Sequence, residues 1–78
     1  MNNYEKYVQA FVENFEVDKS AVETLEYQSV QEWDSIGHMN LMATIEDAFD
    51  IMLEMDDIID FSSFQKGIEI LKKYDVEL

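Results

Sequence analysis

An all-α four-helix bundle, with three longer helices, a short third helix and a long loop after the first, is the fold this sequence predicts. Three observations carry the prediction. Apolar residues recur at helical spacing in three separate stretches. No stretch alternates apolar with polar residues, no Asn-Gly or Asp-Gly hairpin turn occurs, and the chain holds only two glycines and no proline. The 78 residues, 47% of them hydrophobic, suffice for one small packed domain, expected over 1–78.

The first helix is read from Tyr4, Tyr7, Val8, Phe11, Val12 and Phe15, which fall on one face at helical intervals. That pattern dissolves at Glu16-Val17-Asp18-Lys19. Ser20-Ala21-Val22-Glu23 then matches a capping box opening at most a short helical turn. From Thr24 to Trp33 the apolar residues Leu25, Tyr27, Val30 and Trp33 stand isolated among polar ones, as in a long ordered loop whose side chains plug a core. Loops of that length without structure of their own are usually functional.

Asp34 offers an N-cap to the second helix, Ser35 to Asp50, which places Leu41, Met42, Ile45, Ala48 and Phe49 on one face. Ile36, Met39 and Ala43 form a neighbouring stripe, so this helix is apolar over more of its girth than one core contact needs. A partner surface and burial under the long loop account for that stripe about equally well. Ile51 to Phe61 offers too few positions for a full amphipathic helix and predicts one short helix. Ser62-Ser63-Phe64-Gln65 reads as a second capping box. Phe64, Ile68 and Leu71 continue from it toward Lys72 and Lys73, cations that suit a helix C-terminus, and the fourth helix ends near Tyr74.

Composition excludes several functions. Five lysines and no arginine against eighteen carboxylates give a net charge of −13. Such a chain is repelled by nucleic acid and by anionic lipid, and basic protein surfaces are its natural partners. Without cysteine it has no disulfide, no thiolate nucleophile and no sulfur-bound zinc, and the single histidine, His38, cannot hold a metal ion alone. Charges interrupt every apolar run, and Met1 to Glu5 has neither a cationic nor an apolar leader segment. No membrane insertion is expected, and the expected location is the cytoplasm. Ser35 and His38 do not make a hydrolase, since no third group orients the imidazole and no oxyanion hole is evident. Glu46-Asp47 and Asp56-Asp57 read as solvated carboxylates rather than catalytic pairs. Asp56, Asp57 and Asp60 also lack the spacing, central Gly and terminal Glu of a calcium loop.

What stays distinctive is a serine opening a helix directly after its cap. Asp34-Ser35-Ile36, followed by apolar helical positions, Glu46-Asp47 and Phe49-Asp50, resembles the Asp-Ser-Leu region of acyl carrier proteins, small helical bundles that bear 4′-phosphopantetheine. The resemblance takes in the first helix, the long loop, the short acidic third helix and the Ser-capped fourth, nearly the whole chain. It implies a carrier without catalytic activity, with the cofactor joined covalently to Ser35. Asp34 would cap the helix and help a phosphopantetheinyl transferase and its metal recognise the serine. An acyl or aminoacyl cargo would be held as a thioester, loaded by a separate ligase or transferase and passed to downstream enzymes. The resemblance also makes the second helix a recognition helix, with Ile36 and Met39 as apolar contacts. Glu46 and Asp47, extended by Asp56, Asp57 and Asp60, would meet basic docking patches, and the carrier would be a monomer.

Gly37 and Asn40 depart from fatty-acid carriers, which commonly place acidic residues there. The Ser-apolar-Gly start is similar to D-alanyl carriers and some stand-alone carriers, and points to a specialised pathway. Gly37 is expected to cost the helix about 0.5–1 kcal/mol relative to Ala. His38 is read as a half-exposed helix residue rather than a phosphodiester contact, and Trp33 as packing the loop onto the bundle. Met39, Met42, Met52 and Met55 either fill the core or line an adaptable cargo cleft. The competing reading is an acidic adaptor that binds a basic partner and is never modified.

Overall fold

A computed structural model describes residues 1–78, and its regular elements are all helical. Helix α1 spans Asn3–Phe15, a 3-10 helix follows at Lys19–Thr24, and α2 spans Ser35–Phe49. The short α3 covers Met55–Asp60 and α4 covers Phe64–Lys72. There is no strand, only a single bridge between Glu26 and Ser63. No helix is long and apolar enough to cross a membrane.

Helix α1 begins in a capping box that the apolar pattern did not reveal. Asn2 Oδ1 accepts the Glu5 N–H at 2.8 Å while the Glu5 carboxylate takes the Asn2 N–H. Its apolar face buries Tyr7, Val8, Ala10, Phe11 and Phe15. These rings meet Trp33, Phe61 and Phe64 in an aromatic core, where Tyr7–Phe11 and Phe11–Phe64 pack edge to face and Phe15 stacks on Trp33 with centroids 5.0 Å apart. Such pairs add about 0.5–1.5 kcal/mol beyond the area they bury. The Tyr7 hydroxyl, the polar end of that cluster, donates to the Phe64 carbonyl at 2.7 Å, and burial pushes its pKa far up.

The loop from Leu25 to Trp33 is strapped to the start of α4. Tyr27 N–H donates to the Ser62 carbonyl at 2.8 Å and Phe64 N–H to the Leu25 carbonyl at 2.9 Å. Leu25 and Trp33 are buried, as a core-plugging loop requires, whereas Tyr27 stays partly in solvent. The strap also explains a shift in α4. Because the Ser62 backbone is spent on the bridge, the helix starts one residue later, and Ser63 rather than Ser62 accepts the Lys66 N–H, at 2.9 Å. At the 3-10 helix the Ser20 capping box does not form. That element starts at Lys19 after Asp18, which gives no side-chain cap, and its tight turn is closed by Thr24 Oγ1 donating to the Ala21 carbonyl.

Helix α2 buries Leu41, Met42 and Ile45 against α1, where Asn14 Nδ2 also donates to Thr44 Oγ1 at 3.1 Å. The neighbouring stripe is not covered by the loop: Ile36 is 74% exposed and Met39 52%. Of the other methionines Met42 is core, while Met52 and Met55 are exposed.

Helix α3 differs from the rest in how it is held. Its only buried side chain is Asp57, which accepts hydrogen bonds from Lys73 Nζ and the Tyr74 hydroxyl. The same hydroxyl takes the Glu54 N–H at 2.9 Å.

Candidate functional site around Ser35

The first turn of α2 is built by its cap. Asp34 Oδ1 accepts the Gly37 N–H at 2.8 Å, and the Asp34 carbonyl accepts the His38 N–H at 2.8 Å. Gly37 is there because of a close approach: a Cβ on it would overlap the Glu32 carbonyl oxygen, backbone that cannot step aside. The expected helix-propensity cost of this glycine is therefore offset by a contact only glycine allows. The incoming loop lies directly on the helix start, and Ser35 is left facing solvent.

Three aromatic rings stand beside the serine. The Tyr27 hydroxyl lies 3.3 Å from Ser35 Oγ, and its ring meets Trp33 and His38 edge-on, with the His38 centroid 5.4 Å away. Trp33 Nε1–H donates to His38 Nδ1 at 2.9 Å, and His38 Nε2 lies 2.7 Å from the Ile58 carbonyl oxygen. Since Nδ1 accepts, the proton sits on Nε2, which donates to α3. His38 is thus not the half-exposed residue its helical position suggested. It is 9% exposed, because the loop brings Trp33 to one edge of the imidazole and α3 covers the other.

Between α2 and α3 opens a cleft of about 380 Å³. Ser35 and Tyr27 stand at it, Met39 and His38 line the α2 side, and Met55, Ile58 and Ile59 form the α3 wall. Two of the four methionines singled out from sequence, Met39 and Met55, therefore line an apolar opening beside the serine.

The expected charged face is only partly present. Asp47 and Asp56 are exposed, as is Asp60. Glu46 is half-buried and committed to the turn after α2, where its Oε2 accepts the Leu53 N–H at 2.8 Å. Asp57 departs from the expectation outright. It is turned inward, and the hydrogen bonds from Lys73 and then Tyr74 hold its carboxyl below the usual carboxylate range. Lys73 is raised in return, chiefly by its hydrogen bond to Asp57; Tyr74 is raised first by desolvation and then by Asp57. An exposed partner contact cannot also be this anchor. No lysine or arginine lies between Lys19 and Lys66, so the segment that carries Ser35, α2 and α3 has no cation of its own.

Tyr27, Ile58 and Ile59 were not singled out as site residues in the sequence. In the sequence Tyr27 looks like Leu25 and Trp33, apolar residues of a loop that plugs the core, and only the structure separates it from them by leaving it partly in solvent. No protein-family model, curated protein or solved structure matches the chain.

Proposed function

We propose that this chain is an acyl carrier protein, an acyl-carrier-type bundle that is modified at Ser35 and catalyses no step itself. The single observation that carries the reading is the exposed Ser35 hydroxyl, opening the longest helix directly after a capping aspartate and facing an apolar cleft. The residues present fit a covalently held phosphodiester. Ser35 Oγ is reachable from solvent, the Tyr27 hydroxyl is within reach of it, and the first N–H groups of a helix favour an anion. When bound, 4′-phosphopantetheine supplies the thiol that a cysteine-free chain lacks, and with it a thioester for acyl or aminoacyl cargo.

The chain's own residues do the rest. Asp34 fixes the first turn, so that the hydroxyl is presented in one orientation to a phosphopantetheinyl transferase. Met39, Met55 and Ile59 offer apolar surface next to the attachment point. Ile36 and Met39 provide the exposed apolar centre of a docking face, and Asp47, Asp56 and Asp60 its acidic rim, suited to loading and acyl-using enzymes with basic patches. The departures at Gly37 and Asn40 favour a specialised pathway over bulk fatty-acid synthesis.

The test is incubation with coenzyme A and a phosphopantetheinyl transferase. The wild-type chain is expected to gain the mass of one phosphopantetheinyl group, and Ser35→Ala, still folded, is expected to gain none. A modified Ser35→Ala chain would move the site elsewhere. An unmodified wild type would leave an acidic adaptor that docks through the same face.

A further inference from the structure

Helix α3 is too short to hold itself in place. Six residues make fewer than two turns, a length far below what is stable alone in water. Nor does it contribute a fully buried apolar side chain: Met55 and Ile59 are exposed and Ile58 is half-buried. Apolar anchoring comes only from half-buried Ile58 and from Leu53 and Phe61 just outside its ends, and polar ties fix it at two sides. Lys73 and Tyr74 hold Asp57 and the Glu54 amide from the α4 side. From the α2 side one group reaches it, the His38 Nε2–H, which satisfies the Ile58 carbonyl, one of the last carbonyls that a helix leaves without an internal partner.

We propose that His38 is a positioning residue: its imidazole, held in one tautomer by the Trp33 indole N–H, latches α3 to α2 and so sets the width of the cleft beside Ser35. The identity of what enters the cleft rests on the carrier reading, whereas the latch belongs to the unmodified chain. The geometry is specific to a group with an acceptor on one edge and a donor on the other. A core residue chosen for volume alone would not need either. The imidazole and indole planes are nearly parallel, 15° apart, and the two ring nitrogens of His38 link the loop through α2 to α3. Loss of the ring would leave the Trp33 N–H and the Ile58 carbonyl without partners, a cost that falls first on the element with least packing.

Two measurements on the unmodified chain test this. In the wild type, ¹⁵N spectra of the imidazole are expected to show the Nε2–H tautomer; an Nδ1–H ring or an even mixture would overturn the latch. Amide hydrogen exchange then compares His38→Leu, which fills space without either bond, with His38→Gln, which keeps an acceptor and a donor. Relative to the Phe11 amide in α1, the Ile58 amide is expected to exchange at least about tenfold faster in His38→Leu and within about threefold of wild type in His38→Gln. Equal acceleration in α1 and α3, or a Gln variant that behaves like Leu, would reduce His38 to ordinary core filling. Should His38→Leu fail to fold, Trp33→Phe serves instead: it is expected to weaken the tautomer preference, and an unchanged ring spectrum would overturn the role given to the indole. Failure of Ser35 to accept phosphopantetheine would leave these outcomes untouched, so the two ideas fail separately.

Discussion

Gly37 shows how far a residue can be read from its own type. Its helix-breaking tendency alone makes Gly37→Ala a stabilising change of about 0.5–1 kcal/mol. The Glu32 carbonyl reverses the sign, because the added methyl must displace backbone. Gly37→Ala is expected to destabilise the chain by about 1–3 kcal/mol, the usual cost of overpacking, as measured by urea unfolding. A more stable Ala variant would mean that the loop does not rest on the helix. Asp34 and Ser35 were legible because capping is local chemistry, settled within four residues. His38 was not, since its burial depends on Ile58, twenty residues away, and on a loop ring whose direction no periodicity encodes. For Asp34→Ala the loss of the cap is expected to cost about 1 kcal/mol. A defect in Ser35 modification well beyond that loss, in a folded variant, would assign Asp34 to recognition by the transferase.

Helices α1, α2 and α4 followed from apolar spacing, because each lays a continuous stripe on a shared aromatic core. Their ends were less legible. The start of α4 depends on a bridge to Glu26, and the start of α1 on an asparagine outside the apolar pattern. Helix α3 was recognised as short, but its acidic residues looked alike in sequence, and only packing separates Asp57 from Asp56. The difference has a pH signature. The Asp57 carboxyl is held below its ordinary range, so its contribution to stability is complete above about pH 4, the unfolded-state value, and is lost as pH falls through the lower folded value. Melting temperatures of wild type and Asp57→Asn are therefore expected to differ most near neutrality and to converge in acid. Parallel curves over that range would deny the anchor. The Lys73 partner mirrors this in alkali: its raised pKa stabilises below the unfolded value of about 10.4 and ceases to do so as pH rises through the folded one.

At the scale of the whole molecule a net charge of −13 is confined to a body of 29 × 27 × 18 Å. Carboxylates at that density repel one another and oppose compaction, and salt screens them. Added sodium chloride or magnesium is expected to raise the melting temperature, and a value flat across the titration would contradict the repulsion. The charge and the helical layout were plain in the sequence; the cleft between α2 and α3 was not, since it exists only where α3 is brought back against the first turns of α2. That cleft and the exposed hydroxyl at its edge give the carrier reading its physical content. It is tested most directly by the intact mass of the chain isolated from its own cell. A population heavier by one phosphopantetheinyl group or its acylated form, with the added mass mapped to Ser35, is the expected result. A chain found only at its bare sequence mass, and refused by competent transferases, would contradict it.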